Sequence, residues 1–162
     1  MPWSRAGYIV LLGIALLWTV GIAAAPLLHQ GGCGREAVFA RWFFSPICHQ
    51  DVARSFALFD WPLSVCQRCS AIYSAFTLTV LAFPWLRRLR FFHTLALPRL
   101  AIFILPMLLD YMLDVAGVWN NSPVSRAVSG SIAGAGLACF VVPAWMELWT
   151  SRKRRFSHPI ER

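Results

Sequence analysis

The sequence predicts an all-α membrane protein: a four-helix transmembrane bundle with an extramembrane Cys-containing loop that bears a short amphipathic helix. Three observations predict it. Apolar residues make up 58% of the 162 residues, and the mean hydropathy is +0.58, above the range of ordinary soluble domains. Four stretches approach the ~20 apolar residues that a helix needs to cross a ~30 Å hydrocarbon layer. Spans of this length must be helical, because lipid offers backbone amides no partner. The chain therefore reads as a single integral membrane domain over residues 1–162.

The net charge of +8 is spread in a way that speaks against nucleic acid. The basic residues, arginine except for Lys153, gather at the ends of the apolar runs, where topology signals and anionic headgroups act. No basic stripe carries a nucleic-acid reader motif. The lipid bilayer is the expected partner; a protein partner and the oligomeric state are left open.

The first span is Tyr8–Leu28, preceded by Arg5. A signal peptide is the competing reading, but the run is long for one, and Ala23-Ala24-Ala25 before Pro26 is a poor cleavage site. Gly31-Gly32-Cys33-Gly34 then breaks the chain. From Arg35 to Phe44, Val38, Phe39, Trp42 and Phe43 share one helical face, with Arg35, Glu36 and Arg41 elsewhere. That face suits either the membrane surface or packing on the bundle. Pro46 ends the helix, and Asp60-Trp61-Pro62 marks a turn.

The second span is Ser70–Leu86, with Val65 to Cys69 as a possible helical lead-in. Arg87, Arg88, Arg90, His93 and Arg99 form a compact basic connection. The third span, Leu100–Trp119, contains Pro106, Asp110 and Asp114; a turn at Asn120-Asn121-Ser122-Pro123 leads to the fourth, Ala127–Trp149. Gly130 and Gly134 in the fourth permit close helix contact. Ten of the fifteen Lys and Arg residues lie in the amino terminus, the basic connection and the tail. Both termini are therefore expected in the cytoplasm, with the cysteine loop outside or periplasmic.

Chemistry concentrates in Cys48-His49-Gln50 and Cys66-Gln67-Arg68-Cys69. A Cys-x-x-Cys pair at a helix start aims two sulfurs at one point, where helix-terminal amides favour thiolates. A tetrahedral Zn²⁺ accepts such thiolates together with imidazole. The expected ligand set is Cys48, His49, Cys66 and Cys69; Cys33 is the substitute for His49, because adjacent residues rarely both reach one metal. Cys139, alone in the fourth span, reads as a small core residue.

A redox scheme competes. The Cys66–Cys69 pair, poised by Arg68, with a Cys33/Cys48 loop pair is similar to the quinone-linked disulfide-generating membrane enzymes. Asp110 and Asp114 share a helix face, and carboxylates within a membrane point to function by default. A salt bridge from Asp110 to Arg126 or Arg54 is the structural account; catalysis or an ion path is the functional one. Asp110, Arg54 and Arg126 are the catalytic candidates, in a polar cluster that would hold a lipid-borne or phosphate-containing substrate while the metal activates water. His29 and His93 are assigned no role.

Ile47-Cys48-His49-Gln50, Arg54-Ser55-Phe56 and Cys66-Gln67-Arg68-Cys69-Ser70-Ala71-Ile72-Tyr73 together resemble the family called domain of unknown function 2085. Leu105-Pro106-Met107 with Asp110, then Arg126, Gly130 and Gly134, extend the resemblance over roughly Phe44 to Gly136. It implies a small multi-span membrane protein with a shared site, and no reaction. Glycine is usual in the family where this chain has Ala71 and Tyr111, and glutamine where it has Asp114. Cys33 is no part of the pattern, which favours a metal over a relay of two disulfides.

Overall fold

A computed structural model describes residues 3–88 and 97–157. Arg90 and His93 of the basic connection lie outside the described residues, as do the side chains of Arg99 and of the tail past Arg152. The chain is mostly helical. Helix α1 spans Arg5–Gln30 and α2 spans Gly34–Phe44. A 3₁₀ turn at Val52–Arg54 leads into strands β1 (Ser55–Leu58) and β2 (Trp61–Cys66). Helices α3 (Gln67–Leu86), α4 (Leu97–Val115) and α5 (Pro123–Ser157) complete the fold.

Three of these helices are long and apolar enough to cross a membrane: Arg5–Gln30, Gln67–Leu86 and Pro123–Arg152. Among the described residues, the fourth expected span is not one of them. Helix α4 has 19 residues and carries Arg99, Asp110 and Asp114. It also stops at Val115 rather than Trp119, because Gly117 takes a left-handed φ of +69°, and the Val118 and Trp119 amides turn back to the Leu113 carbonyl.

Local chemistry explains the element ends. The Ser4 hydroxyl accepts from the Gly7 amide and caps α1. Between β1 and β2, Phe59 and Asp60 both adopt positive φ, 54° and 59°, which matches the right-handed twist of a tight antiparallel hairpin. The sequence signalled a turn near Asp60 but neither strand. Such short strands, with Pro62 inside β2, lack the alternation over several residues that marks a sheet.

Helices α3 and α5 pack closely through glycine. A Cβ on Gly130 would come within 2.7 Å of the Arg68 carbonyl oxygen, and one on Gly134 would collide with the Ile72 backbone. Gly136 similarly admits the Phe103 ring of α4. Leu11, Val80, Phe83, Ala138, Val142 and Met146 form one core between α1, α3 and α5. A second core of Ile22, Phe44, Cys48 and Val65 lies under the hairpin.

Large apolar side chains remain exposed along the helices, among them Leu17 (75%), Ile102 (67%) and Leu148 (67%). Apolar surface on this scale marks a lipid-facing or partner-facing protein. On α2, Ala37 and Phe44 are buried, while Val38, Phe39, Trp42 and Phe43 point outward. Of the two readings for this helix, the structure selects the one in which its aromatic face leaves the bundle.

Candidate metal centre and its polar flank

Strand β2 delivers Cys66 to the start of α3, where it is the N-cap residue. Cys69 follows on the same helical face, three residues on. Across from them Cys48 leaves the end of α2, buried against Ile22, Phe44 and Val65. The three sulfurs lie within 4.8 Å of one another, close enough to share one ion. Trp18, Leu63 and Tyr73 close an apolar wall around them. No disulfide joins any of the five cysteines in the structure.

Cys48 is prepared as an acceptor. Its sulfur takes the Cys66 amide at 3.1 Å and the Gln50 amide at 3.5 Å. Hydrogen bonds from the Cys66 and Cys69 thiols, then those two amides, hold the Cys48 thiol far below its ordinary pKa. A thiolate is the species that binds metal or attacks sulfur.

The loop that carries Cys48 is held by two side chains that sequence reasoning passed over. Gln50 adopts a left-handed φ of 52°, and its side-chain amide donates to the Ser64 carbonyl at 2.6 Å and to the Arg41 carbonyl. Arg41 answers with bonds to the carbonyls of Leu63 at 3.0 Å, Gln50 at 3.1 Å and Pro62 at 3.4 Å. Together they tie α2, the Cys48 loop and β2 into one unit. The glutamine of Cys-His-Gln is therefore a positioning residue. His49 is exposed and outside the sulfur trio, and Cys33 is exposed and also outside it. Cys139 is buried, as a core residue should be.

The polar cluster forms, with pairings other than those expected. Asp110 pairs with Arg68, not with Arg126 or Arg54. Each residue of a helix turns about 100° from the last, so Cys66 and Cys69 face Cys48 while Arg68 faces α4. Arg68 also lies over the Tyr111 ring, 5.5 Å from its centre. Its charge is thus spent on Asp110 rather than on poising the thiols. Arg54 binds Asp114 at 3.0 Å, and Asp114 accepts the Asn121 amide at 3.2 Å.

Asn121 bridges the cluster. Its side-chain amide donates to Asp110 at 3.3 Å and accepts from Arg126 Nε at 2.6 Å. Arg126 also donates to the Gln67 side-chain oxygen at 3.3 Å. The first turn of α3 thus serves two neighbours: Cys66 and Cys69 join the sulfur group, and Gln67 and Arg68 join the ionic network.

The model of the family described as "Predicted membrane protein (DUF2085)" matches residues 48–140. That segment starts at Cys48 and includes all three clustered sulfurs and the network from Arg54 to Arg126. The protein named "Uncharacterized protein MJ1492" of Methanocaldococcus jannaschii is 30% identical over 148 residues, covering 87% of this chain and 94% of that protein. No solved structure matches the chain. With more than half of its length matched and a relative aligned along most of it, the chain belongs to the DUF2085 family of predicted membrane proteins.

Proposed function

We propose that this protein is a four-span integral membrane protein whose outer face holds one metal ion, zinc, on Cys48, Cys66 and Cys69. Helix α4 is the fourth span, its carboxylates neutralised by arginines at the membrane edge. Both termini are cytoplasmic by the distribution of basic residues. The fourth metal position belongs to His49, after a swing of its loop, or to water. The observation that carries this reading is the convergence of three sulfurs within 4.8 Å in a shell with a backbone-bonded thiolate. Soft sulfur donors suit Zn²⁺ over hard cations such as Mg²⁺ or Ca²⁺. With four protein ligands the metal is structural, fixing the hairpin to α3. With water in the fourth position it acts as a Lewis acid. The apolar shell favours the structural role.

Elemental analysis of the purified protein tests this. The expected result is about one zinc per chain, lost in Cys66→Ser and kept in Cys139→Ser. Metal-free protein from zinc-replete cells overturns it.

A thiol-disulfide oxidoreductase is the second reading, favoured by one feature. A mostly apolar groove of about 340 Å³, lined by Leu11, Trp18, Tyr73 and Phe76 among others, opens between α1, α3 and Leu137 of α5. Trp18 and Tyr73 also wall the sulfur group, so a quinone ring in the groove would lie beside the thiols. Thiol trapping in cells separates the readings, since this scheme requires a Cys66–Cys69 disulfide.

A further inference from the structure

The ionic network contains one guanidinium with no carboxylate. Arg68 has Asp110 and Arg54 has Asp114. Arg126 has only the neutral oxygens of Asn121 and Gln67, and among the described residues its remaining terminal nitrogen has no partner. Asp51 also lies 3.6 Å from Arg54, but both side chains are half exposed, so that attraction is screened by water. Of the three arginines at this common end of α3, α4 and α5, Arg126 is thus the one held by neutral oxygens rather than by an ion pair.

A half-buried guanidinium without a counter-ion is costly, and its fixed planar fork fits an oxyanion. The neighbours suit such a guest. Asn121 holds the fork by Nε and Gln67 holds it by one terminal nitrogen. Asp114, the ion-pair partner of Arg54, also interacts electrostatically with Arg126 from beyond ion-pair distance. Arg126 lies in the first turn of α5 and Gln67 in the first turn of α3, both of them helices long and apolar enough to span a membrane. At the start of such spans lies the level of lipid phosphates.

We infer that Arg126, with Arg54 beside it, binds a phosphate-type oxyanion at this end of the bundle. The group comes either from an anionic lipid headgroup or from a soluble phosphate. The inference stands apart from the metal, since it uses none of the sulfur ligands.

The test is calorimetric titration of the full chain in a neutral detergent with two probes, inorganic phosphate and dihexanoyl phosphatidylglycerol. Binding of the lipid alone identifies a headgroup site, and equal binding of both identifies a soluble-anion site. In either case Arg126→Gln is expected to weaken binding about tenfold or more, and Arg152→Gln, near the far end of α5, to leave it unchanged. Absence of binding by both probes overturns the inference, as does an Arg152→Gln loss equal to that of Arg126→Gln. Should Arg126→Gln fail to fold, Asp114→Asn decides. Removing a repelling carboxylate and freeing Arg54 is expected to tighten binding several-fold, and unchanged or weaker binding overturns the inference.

Discussion

Arg68 lies between the two cysteines of the Cys66–Cys69 pair, yet its guanidinium closes on Asp110 of α4. One helical turn thus joins the sulfur group to the ionic network. Both side chains are largely covered, at 16% and 10% exposure. Removing one partner of a buried pair strands the other charge. Asp110→Asn is therefore expected to cost about 3 kcal/mol, read as a lower Tm in detergent. Adding Arg68→Gln should restore much of the loss, because the stranded charge is gone; a purely additive double variant would contradict the pairing.

Gln50 holds the Cys48 loop by its side-chain amide. Gln50→Ala is expected to retain the fold and weaken metal affinity by about 10- to 100-fold, the usual effect of losing a group that orients a ligand. Chelator competition measures it. Gln50→Glu should be at least as damaging, because it replaces a donor with an acceptor facing two carbonyls.

How far the sequence could be read follows from these residues. Cys48, Cys66 and Cys69 were legible as a group because their side-chain chemistry has few uses. Gly130 and Gly134 were legible as a contact because small residues four apart make a groove. The roles of Gln50 and Arg41 were not, because each bonds backbone carbonyls, and backbone partners leave no trace in side-chain type. Asp110 was legible as an acid in need of a partner (an arginine, a metal or its own proton), with Arg126 and Arg54 as the arginines expected. Only the rotation of the first turn of α3 selects Arg68. The hairpin was missed because two adjacent left-handed residues, Phe59 and Asp60, are not glycines, so the usual turn signature was absent.

The α3–α5 contact predicts a pair of opposite outcomes. Gly134→Ala places a methyl group into the Ile72 backbone and should lower the Tm by several degrees, with loss of order around Ile72 in α3. Gly13→Ala meets nothing within 4 Å and should be neutral or stabilise by about 0.5–1 kcal/mol, since alanine is the better helix residue. Thermal unfolding of both variants in one detergent checks the contrast.

Metal retention should depend on pH in one direction. Protons compete with the ion for sulfur, so affinity falls as the medium is acidified and binding releases protons. The Cys48 thiol, held far below its ordinary pKa, adds little to that release near neutrality. Fewer than three protons should therefore leave per ion bound at about pH 7, as measured with an indicator dye. Stripping the ion with a chelator should lower the Tm if the metal pins the hairpin to α3.

X-ray absorption at the zinc edge, on protein purified without added metal, tests the central claim most directly. The account predicts a first shell dominated by three sulfurs at about 2.3 Å, with one nitrogen or oxygen near 2.0–2.1 Å. No zinc in the sample, or a shell of nitrogen and oxygen without sulfur, would contradict it.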